Sequence, residues 1–113
     1  MEGLELVWDE GSGGAFVVRA FLGGLVVGQA RGQWSGEDCC ELERVEVLEA
    51  WRRRGIGRSL VREVQARAYR ITACSICEPG AQLLAHCGFV ADEGPGARWS
   101  WCQDPIGVGD RDF

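Results

Sequence analysis

The chain has 113 residues, 46% of them hydrophobic and 26% charged, which is enough for one domain around a single core without disulfide or metal staples. No apolar run reaches bilayer length, and the acidic start Met1-Glu2-Gly3-Leu4-Glu5 lacks the basic-then-apolar order of a secretion signal, so a cytoplasmic location without a membrane partner is expected. The net charge of −5 conceals a basic island: residues 1–51 sum to −7, residues 52–70 to +6 and residues 71–113 to −4. This favours a compact polyanionic ligand held in one place over nucleic acid, which usually meets a broader basic face.

In chain order, residues 4–8 alternate as a strand does, and residues 9–14 form a turn cluster rich in glycine and acids. Residues 15–21 and 25–29 are β-branched and aromatic and flank Leu22-Gly23-Gly24, which predicts a hairpin. Residues 32–38 read as a polar loop, with the next strand beginning near Cys40. An antiparallel meander of three or four strands is therefore expected before the first long helix.

The strand over residues 41–47 has a break in phase. Val45 and Val47 share a face, whereas Leu42 would point the other way in a regular strand. Either a β-bulge near Glu43 and Arg44 restores a common apolar face, or the strand is two-sided. Beyond the strand come Arg52, Arg53, Arg54, Gly55, Ile56, Gly57 and Arg58, then a helix expected over residues 56–70. Its stripe of Ile56, Leu60, Val61, Val64 and Ala68 follows a 3.6-residue period.

A short strand over residues 71–76 would run parallel to the strand before the turn, with Glu78-Pro79-Gly80 ending it. Residues 81–87 predict a short helix closed by Gly88, residues 89–91 and 97–102 two further strands, and residues 103–113 a frayed tail. The expected fold is α+β: a mixed, mostly antiparallel sheet with one long and one short helix. Six cysteines include Cys74-Ser75-Ile76-Cys77, but this pair sits in or just after a strand rather than opening a helix or a metal-binding turn. Reduced, partly buried thiols are the expectation, and no metal is implied.

The turn carries the chemistry. A strand feeding a glycine turn that opens a helix offers unpaired N–H groups and the positive end of a helix dipole to an anion. A phosphate loop of the GxxxxGK[ST] kind is excluded because the chain has no lysine, and Gly55 and Gly57 have no third glycine for a dinucleotide fingerprint. What remains is RxxGxG, formed by Arg52, Gly55 and Gly57, with glycines that let a pyrophosphate approach the backbone.

Residues 42–60, LERVEVLEAWRRRGIGRSL, and residues 83–89, LLAHCGF, together resemble the acetyl-CoA motif and the closing helix of the GNAT N-acetyltransferase family. The resemblance spans roughly residues 15–103. It implies a splayed parallel strand pair at the centre of the sheet and acetyl-CoA as cosubstrate. The pyrophosphate would lie on the N–H groups of residues 53–58, and pantetheine along Val45, Glu46 and Val47, with Cys77 nearby. Acetyl would pass directly to a primary amine of a small molecule or peptide.

Glu41, eleven residues before Arg52, matches the base of the histone-acetylating members, and Glu43 is the next candidate. The family's tyrosine acid and its upstream asparagine are replaced by Leu84 and Cys77, so sulfur would be left to water, backbone N–H groups, Cys77 or His86. This supports a second reading, a CoA-binding or interaction module with impaired catalysis. The helices that members carry before the central hairpin have no room here. With five tryptophans in so short a chain, a homodimer covering exposed sheet is the remaining expectation.

Overall fold

In the computed structural model, residues 3–74, 78–92 and 98–103 are described. Among these residues seven strands form one sheet in the order β1-β2-β3-β4-β5-β7-β6: β1 Leu4–Glu10, β2 Ala15–Leu22, β3 Leu25–Trp34, β4 Cys39–Val47, β5 Arg70–Cys74, β6 Val90–Ala91 and β7 Arg98–Cys102. The helices are α1, Ile56–Arg67, and α2, Glu78–His86. Strands β1 to β4 make an antiparallel meander, β4 and β5 run parallel, and β7 is antiparallel to both β5 and β6.

Several boundaries differ from expectation. β3 continues through Trp34, and the polar loop shrinks to the few residues before Cys39. The ladder explains this, because Gln33 and Trp34 pair with Glu41 and Cys40 on β4, and cross-strand pairing outweighs weak local propensity. α1 ends at Arg67, since Ala68 is already extended. α2 begins at Glu78 rather than after Gly80, as proline in a first helical turn gives up no hydrogen bond. β5 ends at Cys74, and the expected strand residues 75 and 76, like the 104–113 tail, lie outside the described residues.

The bulge is present. Arg44 faces Arg31 and Leu42 faces Gly32, which leaves Glu43 as the extra residue. Leu42 is buried, and Val45 and Val47 pack against the same core. That core lies on one face of the sheet. Phe16, Val18 and Ala20 of β2 and Ala30 of β3 meet Ile56, Leu60, Val61 and Val64 of α1, burial that stabilises by roughly 1.5–3 kcal/mol per large aliphatic side chain.

α1 can sit this close because Gly28 of β3 has no side chain. A Cβ there would lie 3.3 Å from both Ile56 Cγ2 and Leu60 Cδ1. α2 packs on the same face, tied to α1 by Gln65 Nε2 donating to the Cys87 carbonyl at 2.8 Å. All five tryptophans are half-buried and pack against the core within this chain. β1 returns to β2 through residues 11–14 alone, three of them a 3₁₀ turn, so among the described residues no helix covers the outer face of the meander. Among the described residues no helix is long and apolar enough to cross a membrane.

Candidate functional site

The site begins where β4 and β5 part. Their parallel pairing covers only Cys39 to Leu42 against Arg70 to Ala73, while β4 continues to Val47 with no partner on that side among the described residues. The freed edge of β4 leads directly to the arginine turn. A 3₁₀ turn, Glu49–Trp51, reverses the chain, and Arg52 Nε donates to the Val47 carbonyl at 3.0 Å, closing the loop onto the strand end. Arg53 adopts φ 66°, a left-handed conformation that costs an arginine about 1–2 kcal/mol. Gly55 takes φ 86° at the N-cap of α1, without a side-chain cap.

The result is a run of donors. Ser59 N is the first amide of α1 with a helical bond, to Gly55 O at 3.0 Å, and Arg52 N is bonded to Glu49 O at 3.3 Å. Among the described residues, the six N–H groups between them, residues 53–58, have no acceptor. Alternating left- and right-handed residues make a concave nest of such groups, and the α1 dipole adds positive potential. The guanidinium of Arg54 stacks 5.0 Å from the Trp51 ring centroid. Among the described residues, Arg52, Arg53, Arg54, Arg58 and Arg62 have no acidic partner, which leaves five cations available to a polyanion. A Cβ on Gly57 would meet Leu83 Cδ2 of α2 at 3.3 Å, so this glycine also lets the two helices approach beside the cleft.

The carboxylates are distributed along β4. Glu41 lies on the outer face, one residue before the strands part, with Oε2 3.3 Å from Arg98 Nη2 of β7. Glu43 protrudes at the bulge and lines a shallow concavity with Arg31 and Arg44. Glu46 accepts from Gln29 Nε2 at 3.0 Å and lies 3.5 Å from Arg44, and Glu49 is exposed on the 3₁₀ turn. Among the described residues two thiols are buried. Burial, and then the neighbouring Cys39, pushes Cys40 up to about 11. Burial also raises Cys87, against the pull of Arg62 and Arg58.

The sequence profile of the Acetyltransferase (GNAT) family matches residues 2–89. This chain belongs to that family. Among solved structures it is similar to a GNAT-family acetyltransferase from Staphylococcus aureus (14% identity, 80% of this chain and 69% of that one, TM-score 0.69). It is also similar to an acetyltransferase from Thermus thermophilus (19%, 80% and 66%, 0.67). A third, the Paia N-acetyltransferase from Thermoplasma acidophilum, solved in complex with coenzyme A, gives 14%, 78% and 60%, with TM-score 0.68. At these identities the likeness establishes the fold, and the chain spans 60 to 69% of their lengths. No curated protein matches it.

Within the GNAT frame, the positions noted in the sequence fall unevenly. The turn residues and the freed stretch holding Val45, Glu46 and Val47 come together along one side of the cleft. Leu84, at the family's tyrosine position, is 6% exposed and belongs to the core, so it brings no hydroxyl to the cleft. His86 is exposed at the end of α2. Cys77 lies outside the described residues. Sequence reading missed Arg98, whose only signal was alternation within a short strand. Register alone places it beside Glu41, 57 positions away in sequence.

Proposed function

We propose that this GNAT protein is an acetyl-CoA-dependent N-acetyltransferase that moves acetyl directly to a primary amine of a small molecule or peptide. The observation that carries the reading is the run of six N–H groups without an acceptor among the described residues, where β4 leads into α1, flanked by guanidiniums without an acidic partner among those residues. The amides of Arg53, Arg54, Gly55, Ile56, Gly57 and Arg58 hold the pyrophosphate. Arg52 shapes the loop through its bond to Val47. The free edge of β4 at Val45, Glu46 and Val47 pairs with the pantetheine amides, which places the thioester near the point where β5 rejoins β4.

Glu41, at that point, takes one proton from the ammonium group, directly or through one water, and Glu43 is the neighbouring alternative. The freed nitrogen pair bonds to the thioester carbonyl carbon. The C–S bond then breaks with its electrons on sulfur. The nitrogen gives up its second proton to water as the amide forms and sulfur takes a proton from water, so the products are a neutral amide and the CoA thiol. Cys77 remains the candidate on the sulfur side. A second reading, a CoA-binding module with impaired transfer, is favoured by Leu84, because the buried leucine leaves no side-chain acid at that position.

Calorimetric titration with acetyl-CoA tests the donor half. Arg54→Glu combined with Arg58→Glu, both at exposed positions, is expected to weaken binding at least about tenfold by charge reversal at a pyrophosphate. Unchanged affinity overturns the cradle. A thiol-release assay with polyamines and lysine peptides tests the acceptor half. Release that depends on amine supports transfer, whereas binding without release selects the module reading.

A further inference from the structure

On the outer face of the sheet, Glu41 of β4, Thr72 of β5 and Ser100 of β7 stand in one row. Arg98, two residues before Ser100 on the same face, reaches diagonally over β5 to place Nη2 3.3 Å from Glu41 Oε2. Glu41 Oε1 has no partner among the described residues. The other charges on this part of the face are Arg31, Glu43 and Arg44 around the bulge and Arg70 at the start of β5.

The side chains of Arg98 and Glu41 are 49% and 41% exposed, and an ion pair so hydrated adds little to stability. Its effect on orientation is larger. A free glutamate samples many rotamers, while one held by a single oxygen keeps the other aimed in a fixed direction. We propose that Arg98 is a positioning residue for Glu41, holding Oε2 across β5 so that Oε1 alone receives the proton of the acceptor amine. The inference rests on Glu41 as the base. The competing explanation is that the pair only ties β7 to β4.

The test is a double-mutant cycle on steady-state rates, using whichever polyamine or lysine peptide the wild type turns over fastest. Arg98→Gln is expected to lower kcat about tenfold, the scale on which misplaced catalytic groups act, and to leave acetyl-CoA affinity and the urea midpoint unchanged. Arg98→Lys restores part of the loss. In a Glu41→Gln background, Arg98→Gln adds no further loss.

If Arg98→Gln slows the Glu41→Gln enzyme as much as the wild type, or lowers acetyl-CoA affinity to the same degree, the pair is structural and the inference fails. If Glu41→Gln itself leaves kcat intact, the base assignment fails first. If no amine is turned over, both fall together.

Discussion

Gly32 sits where the fold and the candidate base meet, and replacing it with alanine probes both. A methyl group there would land on the Glu41 carbonyl oxygen and lie 2.6 Å from Phe16 Cζ and 3.1 Å from Cε2. Ordinary contact begins near 3.4 Å, so the ring would have to retreat by about 0.8 Å. It has nowhere to go. Phe16 is 3% exposed, stacks on Trp8 at 4.7 Å with planes 13° apart, and leans on Trp34 at 5.4 Å. The oxygen belongs to the β4 backbone and cannot swing aside.

Overpacking against neighbours this fixed costs about 3 kcal/mol, and removing a glycine from a strand returns about 1 kcal/mol, for a net loss of about 2 kcal/mol. In a chain of this size that lowers Tm by roughly 8 °C. Urea and thermal unfolding measure it, with Gly36→Ala as control, because a Cβ there finds only Cys39 Cβ at an ordinary 3.8 Å. A Gly32→Ala protein as stable as the control would refute the close approach of β3, β4 and the aromatic group. With β4 displaced at Glu41, amine turnover should fall further than acetyl-CoA affinity.

Two more outcomes follow from local chemistry. Burial pushes the Cys40 thiol from 9.0 to about 11, so between those values the unfolded chain loses its proton first and binds fewer protons than the native state. Stability is therefore unaffected by this group below about pH 9 and falls as pH rises toward 11, by up to about 2–3 kcal/mol. Urea midpoints across that range should show the slope, and it should become shallower in Cys40→Ala, where the raised Cys87 thiol still contributes; an unchanged slope refutes the assignment. At the turn, Arg53→Gly relieves about 1–2 kcal/mol of left-handed strain against about 0.5–1 kcal/mol of added chain entropy. A small gain in urea stability is expected, and a loss would contradict the φ of 66° at this position.

The turn proposed to hold the donor was legible in the sequence as a local structure. Hydrophobic period located α1, the phase break between Leu42 and Val45 admitted the bulge alongside a two-sided strand, and the spacing of Arg52, Gly55 and Gly57 located a turn whose amides need no distant partner. What the sequence concealed depends on register. β3 runs on through Trp34 because β4 offers it a ladder, and α2 absorbs Pro79 at its start. Leu84 reads as a missing hydroxyl in sequence and as a core residue in the fold.

The acceptor side proposed around Glu41 belongs to this second kind. Glu41 was one of four glutamates on the strand and its turn, and composition gave no reason to choose among them beyond the family comparison. In the sheet, Glu46 is bound to Gln29 and Arg44, Glu49 stands on the turn, and Glu43 is displaced at the bulge. Glu41 alone combines a position at the parting of β4 and β5 with a guanidinium on one oxygen. Anion binding by backbone amides requires a turn of a few residues. Directing one carboxylate oxygen at an amine requires three strands in register, one of which enters the chain 57 residues later.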